Sequence, residues 1–466
     1  MRYSIQTFGC QMNVHDSRRM EEVLHQAGYL PAETPSEASV VVLNTCSVRE
    51  KAEHKLMSAL GTLRPLKALR KETVFVVAGC VAQQEGEKLL KKVPHLDLVI
   101  GPDNIVELAD LVAYIRQGGP PMARTVFDHD QPGFLRSVPS GTKREVTSYV
   151  TVMKGCDERC SFCIVPYTRG SERYRPADDI VAEIAQQVAA GVREVTLLGQ
   201  TVNSWYEPTG VESSTSSQFA ALLYRISTEV PGLVRLRYTS PHPRHVTDEL
   251  VRAHTELDVL PSHVHLPVQS GSDRVLKRMI RKYTREDYIQ RTGRLLNARP
   301  NMTLSTDIIV GFPGETEEDF QQTLSLVKEV GFVSVFAFKY SPRPYTPALK
   351  LGNDVPEALK DERLAELFEL VEQQQSRHLA SLIGSRQNVL IEAVSRDGSG
   401  RFTGRNQCND IVHVECVSEG DPIGQMLEVD IVEAYKHSLR GVQQGFFPST
   451  GLETSVRQVR RLPMAV

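Results

Sequence analysis

Residues 149–163 read YVTVMKGCDERCSFC. The first half is an alternating, β-rich strand pattern that ends at a glycine. The second half places Cys156, Cys160 and Cys163 at the spacing C-x3-C-x2-C, directly beyond that strand. Three thiols on one loop pose a question of stoichiometry. A structural zinc site closes with four ligands, and a disulfide needs two sulfurs. Three thiolates can hold three irons of a cubane cluster, leaving the fourth iron open to another ligand. Zinc with a distant fourth ligand, or incidental thiols, are the other readings of the same residues.

Five more strand patterns follow: EVTLLGQ (194–200), LVRLRYTS (233–240), SHVHLPVQS (262–270), LSTDIIVGFP (304–313) and SVFAFKYSP (334–342). Helical patterns such as DDIVAEIAQQVAAG (178–191) and EEDFQQTLSLVKEVG (317–331) separate them. This alternation predicts a partial (β/α)6 barrel, too short for eight strands, with its chemistry at the carboxyl ends of the strands. The helical run 356–382 bridges outward from it, so that residues 146–380 form one domain.

Upstream, residues 1–118 predict a parallel α/β domain. Its strands end in YSIQTFGC (3–10), SVVVLNTC (39–46) and TVFVVAGC (73–80), and a fourth strand, LDLVIGP (96–102), follows. Cys10, Cys46 and Cys80 each stand at a strand end, about one βα unit apart. Parallel strands bring their carboxyl ends to one sheet edge, where ligand sites form. The three are either a second metal site with its own open position or three buried thiols, since free cysteine packs well.

Residues 119–145 are rich in glycine and proline and read as a linker. From 381 to 446 the patterns shorten: RQNVLIEAVS (386–395), GRFTGRN (400–406), DIVHVECV (410–417) and GQMLEVDIVEAY (424–435) predict a small, OB-like β-barrel. Cys408 and Cys416 read as ordinary thiols of that barrel. Residues 447–466 read as a loosely ordered tail.

The chain has 466 residues, 41% hydrophobic and 24% charged, with a formal net charge of −3. No global field draws it to nucleic acid or membrane. No apolar run reaches the roughly 18 residues of a membrane span, and MRYSIQTFGCQMN lacks the apolar stretch of a signal peptide. A cytoplasmic location is expected, where eight cysteines serve as ligands or catalysts more readily than as disulfides.

The C-x3-C-x2-C motif, with Phe162 before its last cysteine, resembles the radical S-adenosylmethionine (SAM) superfamily. GCQMN, NTCSVREKA and AGCVAQQ, with VPYTRGSERYRP, LLGQTVNSW, HLPVQSGSDRVLKRM and DIIVGFPGETEEDF, resemble the methylthiotransferases within it. The terminal barrel is similar to that family's TRAM domain, an RNA-binding module. The flanks of Cys10 and Cys46 look like the MiaB branch, which methylthiolates isopentenyladenosine (N(6)-dimethylallyladenosine) in tRNA. The branches acting on threonylcarbamoyladenosine or on ribosomal protein S12 favour other residues after the first cysteine. One departure is Thr201, where the family usually has asparagine.

The resemblance implies two 4Fe-4S clusters, one on Cys156, Cys160 and Cys163 that binds SAM, and an auxiliary one on Cys10, Cys46 and Cys80 that carries the sulfur. Two SAM would be used per product: one methylates that sulfur, the other gives the radical that takes hydrogen from C2 of adenine 37. Phe162, Gly199, Gln200, Gln269, Ser270 and Asp307 are candidate SAM contacts. Gly311 to Gly314 follow Asp307 at the same strand end, as further contacts or as turn geometry alone, and Glu315 to Asp319 cap the helix after them. The implied partners are tRNA, through its anticodon stem-loop, and a reduced donor such as flavodoxin or ferredoxin. A monomer is expected. For RNA, the basic segment 273–299 is the stronger electrostatic candidate, with Arg278, Arg281 and Lys282 within it. Arg401, Phe402 and Arg405 of the terminal barrel are candidates for phosphate contact and base stacking.

Overall fold

The computed structural model describes residues 1–47, 50–128, 133, 145–208, 217–396, 398–416 and 421–444. The amino-terminal section is a parallel sheet of β1 (Arg2–Phe8), β2 (Leu30–Pro31), β3 (Val40–Thr45), β4 (Val74–Ala78), β5 (Leu98–Ile100) and β6 (Met122–Arg124), in the order β2-β1-β3-β4-β5-β6. Every residue of β3 and β4 is buried, because helices cover both faces of the sheet. Val40, Val42, Val74 and Val76 pack with Leu24 and Leu108 on one face. Val41, Leu43, Phe75 and Val77 pack with Leu56 and Leu60 on the other, as the strand period of two requires.

Strand β6 corrects the reading of 119–145 as a linker. Met122–Arg124 pairs in register with Leu98–Ile100. Three residues at a sheet edge are too few to show a period. Most of the rest of that stretch, and all of the tail from 447, lie outside the described residues.

The central section holds β7 (Thr147–Thr151), β8 (Met153–Lys154), β9 (Arg173–Tyr174), β10 (Glu194–Leu198), β11 (Arg235–Tyr238), β12 (His263–His265), β13 (Thr303–Val310) and β14 (Ser334–Lys339). The six longer strands match the six patterns. They form two parallel three-stranded sheets, β7-β10-β11 and β12-β13-β14, with each strand beside its neighbour in sequence. One hydrophobic layer, including Val150, Val195, Leu236, Val264, Leu304 and Val335, runs behind both. The arrangement is the expected partial barrel. Strands β8 and β9 pair antiparallel and close the base of the loop that carries Cys156, Cys160 and Cys163.

The long helix Glu357–Ser381 leads to a closed barrel of β15 (Arg386–Val394), β16 (Phe402–Arg405), β17 (Ile411–Glu415), β18 (Met426–Ala434) and β19 (Leu439–Gln443). The fifth strand, LRGVQ, was absent from the four sequence patterns. It carries a central glycine and little apolar alternation, yet Leu439 and Gly441 are buried. Pairing with β17 and β18 on its two sides makes it a strand. Among the described residues no helix is long and apolar enough to cross a membrane.

The two flanking sections meet opposite ends of the central barrel. At its carboxyl end, Lys154 Nζ lies 3.2 Å from Asp103 and 3.2 Å from Asp128, and Arg173 Nη1 donates to Asp103 at 2.7 Å. Asp103 follows β5, so these pairs fasten the amino-terminal sheet to the strand pair beside the cysteine loop. Burial opposes ionisation of Asp103, but the charge of Lys154 and hydrogen bonds with Asp128 and Arg173 hold its carboxyl down to about 2. At the amino end, both terminal nitrogens of Arg235, where β11 begins, donate to the Arg405 carbonyl at 3.3 and 3.2 Å. The Cys408 thiol donates to the Asn301 carbonyl at 3.4 Å.

Asp103→Ala leaves two cations buried with half of their counter-charge. Breaking a buried pair in this way costs about 3–5 kcal/mol. The variant is expected to unfold at a markedly lower temperature, read by calorimetry, and an unchanged midpoint would remove this cluster from the account of how the sheet and barrel are joined.

Candidate metal centres and cofactor site

Cys10 follows β1 and Cys46 follows β3, while Cys80 follows β4 and starts the short helix Cys80–Glu85. The sheet order sets β1, β3 and β4 side by side, so the three thiols share one sheet edge. The thiols of Cys10 and Cys46 hydrogen-bond to each other. Two buried asparagines brace this edge. Cys10 Sγ donates to Asn13 Oδ1 at 3.3 Å, and Asn13 Nδ2 donates to Asn44 Oδ1 at 3.2 Å. Gly79, at φ +90°, admits no side chain, since a Cβ there would lie 2.7 Å from the Thr45 carbonyl oxygen.

Cys10 is pulled down to about 6, chiefly by the Cys46 hydrogen bond and against burial, with the charge of Arg169 adding to it. Burial pushes Cys80 up. Arg169 comes from the other section of the chain. Its Nε donates to Cys80 Sγ at 3.3 Å, and its Nη2 donates to Asp16 at 2.6 Å.

The second set lies on the loop after β8. Burial pushes Cys156 up to about 11 and Cys163 up to about 12. The loop is pinned through Ser161: its amide donates to the Met279 carbonyl at 2.9 Å, and its hydroxyl to the Arg278 carbonyl at 2.8 Å. Thr201 Oγ1 lies 3.1 Å from Cys156 Sγ, which gives the one departure from the family pattern a place beside the cysteines. Arg281 Nη1 donates to Cys160 Sγ at 3.3 Å. Between the cysteines, Glu158 binds Arg244 at 3.4 Å, His245 at 3.5 Å and Lys282 at 3.3 Å. The hydrogen bond from His245 is the main reason that Glu158 is held down to about 2.

These donors fit clusters better than single ions. No disulfide joins the eight cysteines. Among the described residues, neither cysteine triad has all three of its sulfurs within 4.8 Å of one another. A zinc tetrahedron with bonds of about 2.3 Å demands sulfur edges of ~3.8 Å. Buried thiols with raised pKa become good ligands only beside a strong positive charge, which a metal centre supplies.

The other sequence candidates fall into different places. Gly199 follows β10 directly, where a Cβ would meet Met153 Cγ at 2.7 Å. Next to it, Gln200 Oε1 is buried with no hydrogen-bond partner, which fits an ammonium donor such as that of a bound amino acid. Asp307 faces the open barrel and lies 3.4 Å from His265 Nε2. Gln269, at φ +77°, exchanges backbone hydrogen bonds with Asp307 and Ile309 at 2.9 Å each. Ser270 is turned away: its hydroxyl accepts from the Ser272 amide at 3.2 Å and meets Thr323 at 3.4 Å. Phe162 packs edge-on against Phe312, with centroids 6.4 Å apart, and anchors the loop.

The RNA candidates have protein neighbours in the structure. Arg281 is turned onto Cys160 and the Pro267 carbonyl, since a guanidinium near a sulfur set is held by it. Arg278 is partly buried, with its Nε donating to the Pro313 carbonyl at 3.0 Å. Lys282 is exposed but pairs with Glu158. Arg401 pairs with Glu415 at 3.1 Å, Phe402 packs against the terminal barrel's core, and Arg405 lies where that barrel meets the central one. Arg169, Asn13 and Asn44 were not among the sequence candidates. The run VPYTRG was the only signal for Arg169, and it carries no period or spacing that would point the side chain at Cys80.

Changing any one of the six cysteines to alanine is expected to lower the iron bound after anaerobic reconstitution from about eight to about four per chain. Full iron in Cys46→Ala would show that the amino-terminal set holds no cluster.

The chain matches uncharacterized protein family UPF0004 over residues 2–101, the radical SAM superfamily over 150–327 and the TRAM domain over 380–442. It is 59% identical over 460 residues to a tRNA-2-methylthio-N(6)-dimethylallyladenosine synthase of Sorangium cellulosum, covering 94% of this chain and 92% of that one. It is 46% identical to the protein of the same name in Myxococcus xanthus, covering 95% and 94%. In fold it is similar to the radical SAM methyltransferase TsrM of Kitasatospora setae, with a TM-score of 0.54 at 12% identity over 85% of this chain and 79% of that one. By its identity to these relatives over nearly its whole length, the chain belongs to the tRNA-2-methylthio-N(6)-dimethylallyladenosine synthase family of radical SAM enzymes.

Proposed function

We propose that the chain methylthiolates C2 of N(6)-dimethylallyladenosine at position 37 of tRNA, using two SAM per product. The observation that carries this reading is the pair of three-cysteine sets, each at the carboxyl ends of a parallel sheet and joined across one interface by Arg169. A single-cluster radical enzyme has no need of the second set.

Cys156, Cys160 and Cys163 would ligate the SAM-binding cluster, and Cys10, Cys46 and Cys80 the auxiliary one. When bound, the clusters and SAM supply the electron transfer, the radical and the methylthio group. The chain's own residues do the rest. Gln200 Oε1 would accept from the amino group of the methionine part, and Gly199 makes room for Met153 beside it. Thr201 and Arg281 would hold Cys156 and Cys160 in place. The ion pairs of Asp103 hold the amino-terminal sheet beside the cysteine loop. Adenine 37 must be splayed out of its stack to reach that space, at a cost of a few kcal/mol. A chain that acts on tRNA and keeps its thiols reduced works in the cytoplasm. We expect a monomer that takes electrons from a reduced flavodoxin or ferredoxin.

The test is anaerobic reconstitution with iron and sulfide, then incubation with SAM, reductant and tRNA bearing isopentenyladenosine. Mass spectrometry of the digested nucleosides is expected to show the 2-methylthio product. Formation of 5′-deoxyadenosine without that product would keep the radical site and overturn the substrate.

A further inference from the structure

The dipeptide Arg169-Gly170 touches both cysteine sets. Arg169 is carried by the same loop as Cys156, Cys160 and Cys163, just beyond the short helix Val165–Thr168. Its side chain, 7% exposed, crosses to the amino-terminal sheet, where it meets Cys80 Sγ at 3.3 Å and Asp16 Oδ2 at 2.6 Å. The next residue faces the other way: the Gly170 carbonyl accepts the amide of Cys156 at 3.1 Å. Gly170 takes φ +73°, a conformation that glycine adopts without strain. The Arg169 carbonyl is itself held by Arg173 Nη2 at 2.6 Å, and Arg173 belongs to the Asp103 cluster that fastens the two sections. The backbone of this dipeptide therefore has little freedom, and its side chain has one destination.

We propose that Arg169-Gly170 is a rigid link between the two centres, and that Arg169 is a positioning residue that holds the Cys80 sulfur and sets the charge at the auxiliary cluster. The proposal rests on the ligand assignment given above. A buried guanidinium keeps its charge at all working pH values. Beside a cluster thiolate it favours the more negative state of that centre, because charge and hydrogen bonds to the sulfurs set cluster potentials. It also favours an anionic sulfur on the open iron. Asp16 neutralises part of the charge and fixes the fork, so the donor presented to Cys80 is the Nε–H.

The experiment uses the full chain with Cys156, Cys160 and Cys163 changed to alanine, so that only the auxiliary centre is loaded. Iron content and the midpoint of an EPR-monitored redox titration are compared for Arg169, Arg169→Met and Arg169→Lys. Methionine keeps the bulk and removes the charge. The expected result is a more negative midpoint in Arg169→Met, by about tenfold in the reduction equilibrium or ~59 mV for one electron, with Arg169→Lys restoring most of it. If Arg169→Met fails to load iron, loading in Arg169→Lys supports the proposal and failure of both overturns it. A midpoint in Arg169→Met equal to that of the arginine protein also overturns it. Retention of iron in Cys80→Ala on this background would instead refute the ligand assignment, a separate failure.

Discussion

The structure depends on one constraint: two parallel sheets meet carboxyl end to carboxyl end. A parallel strand delivers its last residue to the same edge as its neighbours. That is why Cys10, Cys46 and Cys80, remote in sequence, share an edge, and why the loop after β8 stands opposite them. Such an interface is polar by nature, since strand ends expose backbone carbonyls and amides. The chain stabilises it with buried ion pairs between the sections: Lys154 and Arg173 on Asp103, and Arg169 on Asp16. Buried pairs of this kind add less net stability than their Coulomb energy suggests, but they specify geometry, because every misdocked arrangement leaves a charge unpaired. Fixed geometry between the two cysteine sets is what these pairs supply.

The same logic separates chemistry from support. The carboxyl end of the central barrel holds the cysteines, Gln200 and the open polar face with Asp307 and His265. The amino end is closed by the terminal β-barrel, through Arg235, Arg405, Cys408 and Asn301. Cys408 is thus an ordinary buried thiol at a junction, as expected from its sequence. Arg405 meets the same junction through its backbone carbonyl, which accepts from Arg235. Most arginines singled out for RNA already have protein partners in the structure.

Sequence alone determined the periodic features and the strongly spaced ones. The valine-rich runs SVVVLNTC and TVFVVAGC, alternating with helical segments, indicated buried parallel strands, and six further patterns carried the barrel. C-x3-C-x2-C placed three thiols together because all three sit on one loop. The repeated placement of cysteine at strand ends exposed the second set, since topology converts a one-unit spacing into proximity. Short or weakly periodic elements escaped: β6 has three residues, and β19 carries a central glycine. Each becomes a strand only because a neighbour offers hydrogen bonds.

What only the tertiary structure decided is where the long, charged side chains end. An arginine reaches several ångströms from its backbone, so its sequence neighbours do not predict its partner. Arg281 looked like part of a basic surface helix and lies on Cys160. Arg169 looked like one residue of a family motif and spans the two cysteine sets. Thr201 looked like a departure of unknown meaning and sits 3.1 Å from Cys156 Sγ. Local pattern fixes where a backbone runs, because its hydrogen bonds and burial repeat with the chain. Electrostatic contacts follow from which elements dock, and docking is a property of the whole fold.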